Sequence, residues 1–220
     1  MSTTAQPAGP RSGARATRRP DRMVWLKLAL WIAGLAPAAK LAWRAYNDDL
    51  TANPIELITL KTGFWALTFI MATLAITPLR RITGWNRIIQ LRRPLGLFAF
   101  FYATLHFLTY VTLDQFFDFG AIIEDIAKRP YITVGFTAFV LMIPLAVTST
   151  KGWIRRLGRR WLQVHRLIYV TAALGVLHFY WKKSSKNDTF EPLVFAAILA
   201  VLLGARLAWS FLRRRSAATR

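Results

Sequence analysis

Six long apolar runs restrict the fold of this chain more than any other feature. They cover roughly residues 24–43, 63–79, 95–113, 131–149, 161–181 and 192–211. A helix needs about 20 mostly apolar residues to cross a bilayer, and none of the runs shows the alternation of a membrane β-strand. In lipid the backbone must satisfy its own hydrogen bonds, so runs of this length are helices. The composition agrees: 55% of residues are hydrophobic and the mean hydropathy is +0.33, too apolar for most water-soluble domains. The expected fold is an all-α integral membrane protein with six transmembrane helices.

The charges orient it. The formal net charge is +20, which in a soluble protein would suggest nucleic acid. Here the basic residues alternate between connections. The N-terminal tail (Arg11, Arg15, Arg18, Arg19, Arg22), the second loop (Arg80, Arg81, Arg87, Arg92, Arg93), the fourth loop (Lys151, Arg155, Arg156, Arg159, Arg160) and the C-terminal tail (Arg213, Arg214, Arg215, Arg220) hold 19 basic residues against one acid, Asp21. The first, third and fifth loops hold eight basic residues against nine acids. The positive-inside rule puts the first set in the cytoplasm, and an even number of spans then requires both termini there. This charge pattern serves topology and anionic membrane lipids, with no nucleic-acid partner. Eight of the nine tryptophans fall near span ends, as interfacial belts do; only Trp31 sits deeper. The expected organisation is a disordered basic tail over 1–22, a six-helix domain over 23–212 and a second basic tail over 213–220. The segment TRRPDRMVWLKLAL, followed by APAA, imitates a twin-arginine export signal, but five further spans follow and orientation already explains its charge. No internal repeat is evident. The loop TGWNRIIQLRRPLG is the most irregular on the basic side and the better candidate for a docking surface.

Against this background the three histidines, His106, His165 and His178, stand out because each lies inside an apolar run. An ionisable group in a spanning helix is expensive and marks a functional site. Neutral imidazole is also the usual ligand of haem iron. His106 lies 13 residues beyond Arg93, about 20 Å along a helix, and eight residues before Asp114. His178 lies four residues before Lys182. Both fall in the outer half of the bilayer and form the expected axial pair for one haem. His165 lies five residues beyond Arg160, near the cytoplasmic edge. Thirteen residues separate it from His178, about 220° of rotation and about 20 Å of rise, so these two cannot share one iron. A second haem at His165 would need a ligand that is not histidine. Gly96, Ala99 and Ala103 line up with His106, and Gly175 lies one turn before His178. These small residues either leave room for a flat macrocycle or let helices approach closely.

Cysteine is absent. That excludes covalent c-type haem, thiolate iron–sulfur clusters, disulfides and thiol redox catalysis, so any haem is non-covalent and of b type. No dinucleotide fingerprint is present. The chain therefore cannot oxidise a nicotinamide cofactor alone; it serves as a conduit between a donor and an acceptor elsewhere, with no catalytic residues of its own.

Three stretches carry a resemblance: ITPLRRITGWNR (76–87), RRPLGLFAFFYATLHFLTY (92–110) and WLQVHRLIYVTAALGVLHFYW (161–181). They resemble the haem-binding membrane subunits of periplasmic protein-methionine-sulfoxide reductase systems, the MsrQ type within the ferric-reductase-like transmembrane superfamily. The resemblance spans residues 24–212. It implies a multi-pass protein of the bacterial inner membrane that takes electrons from the quinone pool or a cytoplasmic flavin reductase. It implies delivery through haem b to a periplasmic molybdopterin enzyme that repairs methionine sulfoxide. The family's three histidines match His106, His165 and His178, and FMN enters only by this resemblance. The wider superfamily carries two histidines on each of two helices, whereas the third helix here has one. Two other readings of the residues stay open. One is a stand-alone ferric or cupric reductase, for which the outer loops offer scattered acids such as Asp114, Asp118, Glu124 and Asp125. The other is a non-redox transporter or scaffold, which would favour acids within the spans.

Overall fold

The computed structural model describes residues 22–218. The tail expected over 1–22 falls, Arg22 apart, outside the described residues. The elements are α1 (Arg22–Tyr46), α2 (Pro54–Thr83), a 3-10 segment (Asn86–Leu91), α3 (Arg92–Thr109) extended by a π-helical turn (Tyr110–Asp114), α4 (Phe119–Lys128), α5 (Pro130–Val147), α6 (Lys151–Leu157), α7 (Arg159–Val164), α8 (Leu167–Ser184) and α9 (Phe190–Ala218). No strand occurs among the described residues. Six segments are long and apolar enough to cross a membrane, and they overlay the six apolar runs. The chain is a multi-pass membrane protein.

The differences from the sequence reading have local causes. Helix α2 begins at Pro54, nine positions before its apolar run. Asn53 caps it: its side-chain oxygen accepts from the Glu56 amide at 3.1 Å, and its amide donates to the Glu56 carboxylate at 3.2 Å. With proline in the first turn this is a strong start signal that hydropathy overlooks. The fifth span is interrupted. Helix α7 stops at Val164 and α8 begins at Leu167, so His165 and Arg166 sit at the break. Helix α4 was absent from the apolar reading because it is short. Asp118 caps it by accepting from the Ala121 amide at 3.0 Å; Ile122 and Asp125 face the bundle while Phe119 and Ile123 are exposed. Helix α9 continues to Ala218, into the segment read as a tail.

Two helix hairpins form the centre: α2 packs along α3, and α5 packs along α8. Helix α1 lies against α2 and α3; α9 lies against α2 and α8. The innermost layer contains Leu74, Ala99, Tyr102 and Ala172. Rings of Phe98, Phe69 and Tyr102 stack in succession, with Phe69 centred 5.3 Å from Phe98 and 5.5 Å from Tyr102.

Pro37 inside α1 removes a backbone donor and would weaken the helix there. Tyr102 bridges this point. Its hydroxyl accepts from the Ala38 amide at 3.1 Å and donates to the Gly34 carbonyl at 2.7 Å. Gly34 is required because a Cβ there would lie 2.5 Å from the Phe98 ring. Helix α9 is held by an intramembrane cation. The Arg206 guanidinium donates to the Leu74 carbonyl at 2.6 Å and to the Tyr169 hydroxyl, tying α9 to α2 and α8.

Candidate functional site

His106 on α3 and His178 on α8 face each other across the space between the two hairpins. Their ring centroids are 6.0 Å apart and their planes cross at 80°. His106 Nδ1 lies 2.9 Å from the Thr59 carbonyl on α2; His178 Nδ1 lies 2.7 Å from the Tyr131 carbonyl on α5. A carbonyl only accepts, so each Nδ1 carries the proton and donates. Each Nε2 then keeps its lone pair and is free to bind a metal.

Two glycines make this possible. A Cβ on Gly63 would stand 3.0 Å from His106 Nδ1, and a Cβ on Gly135 would stand 2.6 Å from His178 Nδ1. Each imidazole therefore lies in a notch one helical turn beyond the carbonyl that holds it. The sequence reading named neither glycine, since both lie on helices other than those of the histidines.

These contacts disclose an internal repeat. Both histidines bond a carbonyl 47 residues earlier in the chain. Adding 72 to Thr59, Gly63, Phe64, Ala66, Ala103, His106 and Phe107 gives Tyr131, Gly135, Phe136, Ala138, Gly175, His178 and Phe179. All fourteen line one cavity. The motif is Gly-Phe-x-Ala followed at fixed distance by Leu-His-Phe, once over 63–107 and again over 135–179. The statement that no repeat is evident is thus corrected. Six identities in two short motifs, set in otherwise generic membrane sequence, fall below notice until the geometry pairs them.

The cavity measures about 370 Å³, within the roughly 300–1,000 Å³ of small-molecule sites. Its walls are mostly apolar, with Ile70, Phe107, Phe139 and Met142 among them. Lys182, Arg129, Tyr110 and Asp114 stand at the end where α4 crosses. The cavity, with two imidazoles on its wall, fits a haem. Two imidazoles binding one metal, each about 2 Å from it, would have their ring centres about 6 Å apart, which is the separation of His106 and His178, both of which line the cavity. Among the described residues no group of three or more His, Asp or Glu side chains is arranged to hold a metal ion.

His165 is not part of this cavity. Its ring stacks on Trp161 at 3.9 Å between centroids, and Nδ1 lies 3.2 Å from the carbonyl of the same residue. The repeat pairs it with Arg93, so no second histidine meets it. Of the stripe Gly96–Ala99–Ala103, only Ala103 lines the cavity; Ala99 is fully buried in helix packing.

The family model for the ferric reductase like transmembrane component matches residues 62–176. Curated relatives extend further. A chain from Herminiimonas arsenicoxydans is 54% identical over 196 residues, 89% of this chain and 90% of that one. Chains from Ralstonia nicotianae and Rhodospirillum rubrum are 51% and 52% identical, each over 191 residues and 86% of this chain, and 88% and 91% of their own. All three bear the name protein-methionine-sulfoxide reductase heme-binding subunit MsrQ. No solved structure matches. The chain belongs to the ferric reductase-like transmembrane family. Within it, these relatives place it on the MsrQ-type branch, and its six apolar helices make it a multi-pass protein of the bacterial inner membrane.

Proposed function

We propose that the chain is a b-haem electron-transfer subunit of the bacterial inner membrane, with both termini cytoplasmic and His106 and His178 as the axial ligands of one haem. The observation that carries this is the pair of imidazoles 6.0 Å apart between centroids, each tied through Nδ1 to a backbone carbonyl so that Nε2 is the nitrogen left for a metal. The haem, when bound, supplies the one-electron redox change. The protein's own groups do the rest. The Thr59 and Tyr131 carbonyls fix the tautomer and raise ligand basicity. Gly63 and Gly135 leave space for the rings. The phenylalanines and Met142 exclude water and set the dielectric around the redox centre. His165 stands apart, so a second haem there would bind with a single histidine. FMN belongs to the proposal only through the family resemblance.

Electrons then pass from the quinone pool or a cytoplasmic flavin reductase to a periplasmic molybdopterin reductase that repairs methionine sulfoxide in envelope proteins. The relatives' names support this reading; sulfoxide reduction takes place in the partner. Among the alternatives, a stand-alone metal reductase needs an external metal site, and the transporter needs no facing imidazole pair. The test is a reduced-minus-oxidised absorbance spectrum of the protein purified in detergent. A six-coordinate b-type spectrum that disappears in both His106→Ala and His178→Ala is expected. A colourless wild type, or a normal spectrum in both variants, overturns the assignment. Co-purification with a periplasmic molybdopterin protein separates the repair role from the stand-alone one.

A further inference from the structure

The repeat makes the two ends of the cavity unequal. At the inner end the halves match in kind, with Ala103 and Gly175, Ala66 and Ala138, and Ile70 and Met142. At the outer mouth they diverge. The position equivalent to Tyr110 is Lys182, and Arg129 answers to Leu57. Both cations come from the second half, and among the described residues they are the only ones lining the cavity.

Tyr131 joins these cations to the ligand. Its carbonyl holds His178. Its ring lies 5.6 Å from the Lys182 ammonium, and its hydroxyl meets Arg129. Arg129 is further steadied by Asp125, whose carboxylate sits 3.1 Å from Nε and accepts from Tyr110 at 3.1 Å and from Gln115 at 3.2 Å. Those bonds leave guanidinium donors over, since arginine has five. Lys182 is half-buried, and among the described residues the neighbouring carboxylates Asp188 and Glu191 pair with Lys183 instead. Asp114, the one acid on the cavity wall, is exposed at the rim. Lys182 is thus a cation at the mouth of an apolar cavity with an aromatic ring for a neighbour and, among the described residues, no ion-pair partner.

Protohaem carries two carboxylates on one edge. Burying a carboxylate at the apolar inner end would be costly, whereas a cation at the mouth satisfies it. Resting on the haem reading above, we infer that Lys182, assisted by Arg129, receives the haem carboxylates and orients the macrocycle with its acidic edge toward the α4 side of the membrane. Lys182 is a positioning residue for the cofactor. The acidic edge, and with it the route of electron exit, then lies next to α4 and the third loop.

The experiment compares protohaemin with its dimethyl ester, titrated into protein purified in detergent from haem-deficient cells. The variants are Lys182→Met, which keeps length and removes charge, and Lys182→Arg, which keeps charge. The wild type and Lys182→Arg are expected to bind protohaemin about tenfold or more tighter than the ester, the size of one charge-assisted bond. In Lys182→Met the two bind within about threefold, and the midpoint potential of its protohaem falls, because a cation beside the haem favours the reduced state. Steric effects of the ester are common to all three proteins and cancel in the ratio. Equal binding of acid and ester by the wild type overturns the inference, as does an unchanged ratio in Lys182→Met. In both cases a bis-histidine spectrum leaves the haem reading standing; if neither porphyrin gives that spectrum, the haem reading fails and the inference with it.

Discussion

The two halves of the cavity perform one task in unlike surroundings. In the first hairpin, α2 and α3 are gripped from outside: α1 covers them through the Tyr102 bridge, and α9 reaches them through Arg206. Ten residues of α2 are buried. In the second hairpin, α5 buries only Ala138 and Met142, and its outer face meets lipid. Yet the ligand geometry agrees closely, with carbonyl bonds of 2.9 and 2.7 Å and glycine notches at equivalent positions. The repeat persists around the two imidazoles and has drifted elsewhere. The first half is the better anchored; the second carries the polar groups of the mouth.

The largest effects test the equivalence itself. His106→Ala and His178→Ala are each expected to abolish the six-coordinate spectrum, to the same extent, since neither half has a substitute ligand. A spectrum that survives one substitution and not the other would break the symmetry of the site. Next come the notches, where the halves should differ. Gly135→Ala puts a methyl 2.6 Å from His178 Nδ1, whereas Gly63→Ala puts one 3.0 Å from His106 Nδ1. Overpacking of this kind costs about 1–3 kcal/mol, and the closer contact takes the upper part of that range. Haem retention on dilution should therefore fall about tenfold or more in Gly135→Ala and visibly less in Gly63→Ala. The reverse order would mean that α2, though more deeply packed, gives way more easily than α5.

What the sequence made legible follows the same division. The spans and the pairing of His106 with His178 were readable because hydropathy and a histidine in an apolar run are strong local signals. That His165 stands apart from His178 followed from helical rise and rotation alone. The notches, the carbonyl tethers and the mouth were not readable, because each joins residues on different helices. Gly63 and Gly135 look like ordinary membrane glycines until a ring is placed against them. The repeat was present as Gly-Phe-x-Ala and Leu-His-Phe in both halves. It was diluted by apolar residues that any lipid-facing helix contains. Helix α4 and the break at His165 escaped for another reason: a span-length window averages over ten residues or fewer.

A smaller effect sharpens the contrast in anchoring. Tyr102→Phe removes the hydroxyl that bridges Ala38 and Gly34 around Pro37. A buried donor and acceptor lose their partner, at a cost of about 1–3 kcal/mol. Thermal unfolding in detergent should show the loss while the haem spectrum keeps its bis-histidine form. The equivalent position in the second half is Leu174, where Leu174→Ala opens a packing defect without freeing any polar group. A Tyr102→Phe protein with an altered axial spectrum would show that α1 supports the ligands as well as the fold.

The smallest expected effect concerns His165. Its ring stacks on Trp161 and is bonded within its own helical turn, outside the cavity, with Arg93 rather than histidine at the equivalent place in the first half. His165→Ala should leave the position and midpoint potential of the His106–His178 spectrum unchanged. Haem content per protein then becomes the informative quantity. One haem per chain before and after the substitution keeps the site single and the two halves sufficient. A content that drops on substitution, with the bis-histidine bands intact, would give the basic side of the membrane a haem of its own. It would also make the repeat asymmetric in chemistry as well as in packing. Because His165 precedes α8 and His178 lies in its second half, the substitution can be read without disturbing the His106–His178 pair.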